Sequence, residues 1–164
     1  MVKSSDIVII GAGIVGSTIA YRLAKLGMGV RIIDQTGVGS GASGVAAGLL
    51  LPVSENPLDS PIKTLGTCSL ELHQELAAEL FEETGIDVGL ANTPVLLPAF
   101  TEQDVNLYLN YLDHLNASHH VIEWLDPNAA QSFEPLLSNE TLGSLLSESE
   151  GQINPRALLN ALSK

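Results

Sequence analysis

The 164-residue sequence predicts an α/β fold that opens with a parallel βαβ unit, and this prediction depends on a strand, a glycine-rich turn and a helix in direct succession. Residues 7–10 are a short run of isoleucine and valine, which is typical of a buried parallel strand. The run ends at the turn GAGIVG, residues 11–16. A helical pattern follows up to Gly27, where a left-handed C-cap is expected, and a second strand at residues 30–33 ends at Asp34.

The turn has the glycine spacing of a dinucleotide site. Gly11 allows the tight turn, Gly13 allows a close approach to a pyrophosphate, and Gly16 lets the helix lie close to the sheet. The phosphates would bind free N–H groups at the positive end of the helix. Asp34 is placed to accept hydrogen bonds from ribose hydroxyls, which favours a ribose over a 2′-phosphate without separating FAD from NAD. The alternative is a glycine turn with a purely conformational role.

Composition excludes several classes of function. The formal net charge of -12 argues against nucleic acid or anionic membrane as a partner, and no apolar stretch is long enough to span a membrane. Cys68 is the single cysteine, so an internal disulfide and a cysteine-based metal site are excluded, and its helical context predicts a small core residue. The apolar start contains the glycine turn and is explained as a strand, which favours a cytoplasmic protein over a secreted one.

No metal site is predicted. The glutamates around residues 71–82 are interpreted as a solvated helix face, and the histidines 114, 119 and 120 as surface residues.

A second glycine-rich segment, GVGSGASGVAAGLL, occupies residues 37–50. A flexible linker is one interpretation, but linkers rarely continue directly into an apolar VAAGLLLP sequence. The alternative is a backbone that passes close to a large flat ligand, where bulky side chains would collide. Ser43 lies in GASGV, which does not fit the GxSxG nucleophile elbow, so a backbone-supporting or phosphate-binding serine is the preferred interpretation.

These two segments together resemble the FAD-dependent amine and amino-acid oxidoreductases, the family of D-amino-acid oxidase, sarcosine oxidase and glycine oxidase. Within it the chain is most similar to the glycine oxidases of thiamine biosynthesis. Most members carry glutamate where this chain has Asp34, and the shorter acid can still reach the ribose. The resemblance covers nearly the whole chain but only the amino-terminal half, approximately, of a family member.

The resemblance implies a set of cofactor-binding residues for FAD. In chain order they are Gly11, Gly13, Ile14, Val15, Gly16, Asp34, Gln35, Ala42, Ser43, Ala47, Gly48 and Leu49. Ile14 and Val15 would lie against the pyrophosphate, and Asp34 and Gln35 would bracket the adenosine. No catalytic residue is assigned, because the family's carboxylate-binding arginine belongs to the half that this sequence does not match.

The fold implied by the resemblance is a Rossmann-like FAD-binding βαβ unit followed by part of an inserted α+β substrate domain. The expected boundaries are residues 1–52 for the first part of the FAD-binding unit, 53–150 for the partial substrate domain, and 151–164 for the start of a return helix. The residue pattern itself indicates a helix over about 65–80, an extended segment at 94–100 and a helix after Thr101. It further indicates strands at 121–125 and 142–146 and helices opening at Asp126-Pro127 and Asn154-Pro155.

Two functions follow. The first is an FAD-dependent flavoprotein that oxidises the CH–NH group of glycine, a D-amino acid or sarcosine to an imine and then an oxo acid, as a homo-oligomer or with a complementary carboxy-terminal half. The second is a non-catalytic, truncated FAD-binding fragment of such an enzyme. An NAD-binding dehydrogenase ranks below both, since it explains the first glycine segment and not the second.

Overall fold

The computed structural model of the chain describes residues 4–55, 60–115 and 121–164, and these form a mixed α/β structure. The strands are β1 (Ile7–Ile10), β2 (Val30–Ile33), β3 (Leu49–Leu50), β4 (Ala91–Asn92), β5 (Val95–Ala99), β6 (Ile122–Leu125), β7 (Gly143–Ser147) and β8 (Gly151–Gln152). The helices are α1 (Ile14–Lys25), α2 (Pro61–Thr84), α3 (Glu102–Leu115), α4 (Pro127–Phe133) and α5 (Pro155–Leu162), with a 3-10 turn at Ala42–Gly44. The chain divides into two compact units, residues 1–49, 73–90 and 153–164, and residues 50–72 and 91–152.

The first unit contains the predicted βαβ motif. Strands β1 and β2 are parallel, with Ile7 opposite Val30 and Ile10 opposite Ile33. Helix α1 connects them and lies so close that a Cβ atom on Gly16 would be 2.1 Å from the carbonyl oxygen of Gly11. The prediction that Gly16 serves helix–sheet packing agrees with this geometry.

Helix α1 buries small side chains. Ser17 and Ala20 are buried, whereas the larger apolar side chains of Val15 and Ile19 are 69% and 47% exposed. Gly27, just after the helix, has φ +81°, which is the predicted left-handed termination.

Ion pairs join α1 to the carboxyl-terminal part of α2. Arg22 Nη1 lies 2.7 Å from Glu79 Oε2, and Lys25 Nζ lies 3.0 Å from Glu83 Oε1. The four side chains are 33–45% exposed, so water screens both pairs and their contribution to stability is small. The glutamates of this helix face are thus partly paired and not simply solvated.

The second unit is built on an antiparallel sheet with the strand order β5-β7-β6. Its apolar core contains Val53, Ile122 and Leu145, and four partly buried side chains pack against it: Leu97, Tyr108, Tyr111 and Leu112. Pro98 lies on β5, an edge strand, where its missing N–H costs no internal ladder bond. A second small sheet has the order β3-β8-β4.

Three predicted helix starts are confirmed by their caps. Asp126 Oδ1 accepts from Ala129 N–H at 2.9 Å, and Asn154 Oδ1 accepts from Arg156 and Ala157 N–H at 3.1 Å each. At the start of α3, Asp104 Oδ2 accepts from Thr101 N–H, while Thr101 Oγ1 accepts from Asp104 N–H. The caps of α4 and α5 are single side chains, and the cap of α3 is reciprocal; all three satisfy N–H groups that the helix leaves unpaired.

The prediction that Cys68 is a core residue is wrong, because the cysteine is exposed. Leu65 and Leu72 on the same stripe of α2 are also exposed, at 72% and 56%, and only Leu76 and Leu80 are buried. Helical periodicity reveals that a stripe exists but not how far along the helix a neighbouring element covers it.

Three further sequence predictions concern the histidines, metal sites and membrane-spanning helices. His114 lies in the last turn of α3, and His119 and His120 lie outside the described residues. Within residues 4–55, 60–115 and 121–164, no grouping of three histidine, cysteine or acidic side chains could hold a metal ion. None of the described helices has the length and apolarity needed to cross a membrane.

Candidate functional site

The amino-terminal end of α1 is the centre of the candidate site. The first bond of the helical ladder runs from Ser17 N–H to Gly13 O, at 2.9 Å, so the N–H groups of residues 14–16 precede the ladder. The first turn of α1 carries no acidic side chain, while Arg22 and Lys25 occupy its last turn. The positive end of the helix dipole is therefore not neutralised from within the helix.

Ser43 supplies a partner for one of those N–H groups. Its Oγ accepts a hydrogen bond of 2.9 Å from the N–H of Ile14, across 29 residues of sequence. A Cβ atom on Gly13 would lie 3.1 Å from the same Oγ, so a side chain at residue 13 would crowd the serine. The hydroxyl thus stands at the helix end, where an anion would bind, and can donate its own proton to such an anion.

Asp34 joins the end of β2 to the glycine turn. Its Oδ2 accepts from Ala12 N–H at 2.8 Å, and its Oδ1 accepts from the N–H groups of Thr36 and Gly37 at 2.9 Å each. These bonds, that from Ala12 first, lower the pKa of the carboxyl to about 2. The group is therefore a permanent carboxylate at physiological pH.

The carboxylate of Asp34 retains capacity for a ligand hydroxyl. Oδ1 receives the two N–H groups and the more distant hydroxyl of Thr36 at 3.4 Å, whereas Oδ2 receives one N–H group. Since a carboxylate offers about four acceptor positions, Oδ2 can accept one further hydrogen bond. One ribose hydroxyl fits this capacity better than two.

The end of β2 and the second glycine-rich segment both contact the first glycine-rich turn, residues 11–16. Besides the bonds of Asp34 and Ser43, the N–H of Gly39 donates to Ala12 O at 2.9 Å. Gly39 has φ +68°, and a Cβ atom there would lie 2.6 Å from Leu159 Cδ1 of α5. The second glycine-rich segment is therefore a packed part of the unit, and the linker interpretation is excluded for it.

The segment 47–49 is held by Ile153, just before α5. Gly48 O accepts a hydrogen bond of 2.8 Å from Ile153 N–H, and a Cβ atom on Gly48 would lie only 2.0 Å from Ile153 O. Gly48 also has φ +82°, so the close approach and the backbone conformation both require glycine. Arg156 Nε donates to Gly44 O at 3.3 Å and supports the preceding turn.

The remaining predicted site residues lie at the surface of these segments. Val15, Gln35, Ala42, Ala47 and Leu49 are exposed, and Leu49 is 57% exposed although it is apolar. Gly11, with φ +103°, makes the turn out of β1. Among the described residues, no hydrogen bond joins residues 47–49 directly to the site residues at 11–16, 34–35 or 42–43.

Sequence reasoning did not predict the residues that contact the site residues and hold them in place. Ala12 holds Asp34, and Ile153, Arg156 and Leu159 support the second glycine-rich segment. The only sequence signal for the last three is the Asn154-Pro155 helix start, which predicts α5 but not its neighbour.

The chemistry of this arrangement is that of a nucleotide site. Free N–H groups and a hydroxyl at the start of a helix without acidic side chains can hold a pyrophosphate. A permanent carboxylate that is hydrogen-bonded to the same turn can accept from a ribose hydroxyl. The glycines at 13 and 48 keep space that a Cβ atom would fill. The residues present therefore fit a dinucleotide.

Comparison with known proteins identifies relatives over the whole chain. Residues 6–164 match the family described as FAD dependent oxidoreductase. The glycine oxidase of Geobacillus kaustophilus is 34% identical over 163 residues, which are 99% of this chain and 43% of that protein.

Solved structures give the same result. The crystal structure of the Geobacillus kaustophilus glycine oxidase superposes with a TM-score of 0.92 at 33% identity, over 97% of this chain and 43% of that one. The glycine oxidase of Bacillus cereus gives 0.89 at 29% identity, over 98% and 43%. The chain thus spans less than half the length of the relatives it matches, and it corresponds to their amino-terminal half.

Proposed function

This chain belongs to the family of FAD-dependent oxidoreductases, and we propose that it provides the FAD-binding, amino-terminal part of an enzyme that oxidises the CH–NH group of a small amino acid. Glycine, a D-amino acid and sarcosine are the substrates to test. Bound FAD would supply the hydride acceptor, after which water converts the imine product to an oxo acid. The chain's own residues would bind and orient that cofactor.

The observation that carries this proposal is the convergence on the turn. Ser43 on Ile14 N–H and Asp34 on Ala12 N–H place a hydroxyl and a carboxylate against two nearby N–H groups of one glycine turn. The functional division at residues 52 and 150 and a cytoplasmic location stay predictions.

A competition between FAD and NAD tests the cofactor. The purified chain is titrated with FAD, and flavin fluorescence reports binding; NAD is then added as competitor. We expect FAD to bind and NAD to displace it only at far higher concentration, since the match to the FAD-dependent family extends through the second glycine-rich segment. Tighter binding of NAD would contradict the proposal.

An uncovered sheet face supports the proposal of a complementary carboxy-terminal half. Val8, Ile10 and Ile33 on β1 and β2 are 52%, 88% and 52% exposed. Parallel sheets are normally covered on both faces, because both carry apolar side chains. A polypeptide corresponding to the part of the relatives that this chain does not match is the occupant that we propose for this face.

The partner is tested by co-expression with the carboxy-terminal part of the Geobacillus kaustophilus glycine oxidase. We expect the two polypeptides to purify together, and Ile10→Asp to abolish the association. Leu136→Asp, at a residue that is 94% exposed in the second unit, is the matched control and should leave it intact. Light scattering of the chain alone reports the alternative occupant, a second copy, and a dimer abolished by Ile10→Asp would contradict the proposal.

Activity separates the enzyme from the non-catalytic fragment. Peroxide production and reduction of an artificial acceptor are measured with glycine, sarcosine and D-alanine, for the chain alone and for the co-expressed pair. Turnover by the pair and not by the chain alone is expected, because half of a positioned site contributes little rate. FAD binding with no turnover in either sample would support the second hypothesis, a non-catalytic FAD-binding fragment. The observation that favours this hypothesis is that the chain matches only 43% of the length of the Geobacillus kaustophilus glycine oxidase.

A further inference from the structure

Helix α5 contacts the loop that carries Ser43. We call residues 39–44 the serine loop; they belong to the same compact unit as α5 and the glycine turn. Arg156 Nε donates to Gly44 O at 3.3 Å, at one end of the loop. At the other end, a Cβ atom on Gly39 would lie 2.6 Å from Leu159 Cδ1. The helix therefore holds the serine loop at both ends.

The serine loop is in turn bonded to the glycine turn. A Cβ atom on Gly44 would lie 2.1 Å from Gly39 O, so the two ends of the loop are in contact. Gly39 N–H donates to Ala12 O at 2.9 Å. The Ser43 hydroxyl accepts from Ile14 N–H, also at 2.9 Å. Direct contacts thus lead from α5 through the serine loop to the start of α1.

Local bonds fix the serine loop weakly. Its 3-10 turn has only three residues. Gly44 N–H donates to Gly41 O at 3.1 Å, and Val45 N–H donates to Ala42 O at 3.2 Å, which is the long end of the usual range. Residues 37–50 contain no charged side chain, so the guanidinium of Arg156 brings a charged donor to a segment that has none. The position of the loop therefore depends on α5.

We propose that Arg156 is a positioning residue for Ser43. By holding Gly44 O, it keeps the Ser43 hydroxyl on Ile14 N–H, at the place where a pyrophosphate would bind. The inference rests on the proposed FAD function, and it assigns Arg156 no contact with FAD. Because the loop is ordered before the ligand arrives, binding does not have to supply the free energy of ordering it.

Three single variants separate the hydrogen bond of Arg156 from its charge. Arg156→Met keeps an apolar stem of similar length and has no donor. Arg156→Gln loses the charge, but its Nε2 is as many bonds from the backbone as the arginine Nε and can donate to Gly44 O. Asn160→Ala is the matched control, because Asn160 is exposed and lies one turn further along α5.

Two measurements are made on each purified chain at a temperature where it is folded. The first is the Kd for FAD from flavin fluorescence, and the second is hydrogen exchange of the Ile14 amide without FAD. We expect Arg156→Met to raise the Kd about fivefold, as for the loss of one coupled contact. Exchange at Ile14 should accelerate about fivefold, because its acceptor leaves more often. Arg156→Gln should restore both values, and Asn160→Ala should change neither.

A double variant tests whether Arg156 acts through Ser43. Arg156→Met should raise the Kd in the unaltered chain but not in Ser43→Ala, because the hydroxyl to be positioned is then missing. An equal fold-change in both backgrounds would overturn the proposal. That result would follow if the arginine charge acted directly on the phosphates, or if its loss only destabilised α5.

The outcomes are distinguishable from those of the proposed function. If the unaltered chain does not bind FAD, the proposed function fails, and exchange at Ile14 alone decides whether Arg156 holds Ser43. Unchanged exchange in Arg156→Met would overturn that role, and faster exchange with an unchanged Kd would overturn its importance for FAD. If Arg156→Met does not fold, Arg156→Gln decides: an unchanged Kd supports the hydrogen bond, and a raised Kd overturns it.

Discussion

The carboxylate of Asp34 is 2.8 Å from the backbone nitrogen of Ala12, so the end of β2 holds the middle of the glycine turn directly. The same carboxylate accepts from Thr36 and Gly37 N–H and thereby closes the turn that follows β2. One side chain organises the two loops between which a dinucleotide would lie. Its removal should therefore affect both folding and binding.

The first prediction concerns the pH dependence that Asp34 causes. Its pKa is lowered from 3.8 to about 2 in the folded chain, so the unfolded chain binds more protons between these values. Its contribution to the free energy of unfolding is complete above about pH 4 and is lost as the pH falls toward about 2. Asp34→Asn should be less stable at pH 7 and lose less stability on acidification.

Chemical denaturation at a series of pH values measures this difference. Asp113→Asn is the control, since Asp113 is an exposed acid on α3. The prediction is wrong if Asp34→Asn and the unaltered chain lose stability in parallel between pH 5 and pH 2.

The second prediction concerns Ser43. Ser43→Ala leaves Ile14 N–H without its side-chain acceptor, which should cost about 1 kcal/mol of stability, as for the loss of a helix cap. FAD affinity should fall as well, because the hydroxyl can donate to a phosphate. Thermal unfolding and FAD titration measure the two effects.

Ser132→Ala is the matched control for Ser43. Ser132 is exposed and donates only within α4, to Asn128 O. Equal FAD affinity in Ser43→Ala and Ser132→Ala would show that Ser43 is structural alone.

The third prediction separates two glycines of the same unit. Gly16→Ala places a Cβ atom 2.1 Å from Gly11 O, next to backbone that cannot move without breaking the turn. We expect a loss of about 3 kcal/mol or more. Gly41→Ala has nothing within 4 Å of the added atom and a negative φ, so its effect should stay within about 1 kcal/mol.

Denaturant unfolding compares the two variants, with the slope checked to confirm the same transition. Similar stability of Gly16→Ala and Gly41→Ala would contradict the close packing of α1 on the sheet.

The fourth prediction concerns the pH dependence that Glu150 causes. Burial raises the pKa of this carboxyl, against the opposing effect of hydrogen bonds from Ser54, Ser147 and Val53. Oε2 is buried and has no hydrogen-bond partner among the described residues, so a proton on Oε2 suits the site. The folded chain then binds more protons than the unfolded chain, and stability falls as the pH rises from the ordinary glutamate pKa through the raised one.

Glu150→Gln, which is neutral at every pH, should lack this fall. Among the described residues of 50–55, 60–63 and 147–152, the other charged ones are Glu55 and Glu148, which are exposed, and Lys63, which is buried at the start of α2. Urea unfolding of both chains from pH 4 to pH 9 measures the difference. A constant difference in stability across that range would refute the prediction.

Much of the first unit follows from sequence because its signals are local. Residues 7–10 and 30–33 are confirmed as strands, and the turn between the first strand and α1 has the predicted glycine geometry. In contrast, the burial of Ser17 and Ala20 rather than Val15 and Ile19, and the exposure of Cys68, depend on which neighbour covers each helix. Periodicity contains no information about that neighbour.

The sequence by itself determined the βαβ unit, the helix caps and the family, because glycine spacing, capping residues and strand composition act over a few residues. Only the tertiary structure decided which distant segments are held together within each unit. Ser43 on Ile14, Ile153 on Gly48 and Glu150 on Ser54 join residues that are 29 to 105 positions apart. Such contacts form because folding brings distant backbone polar groups into burial, where each must find a partner, and no local pattern specifies which partner it will be.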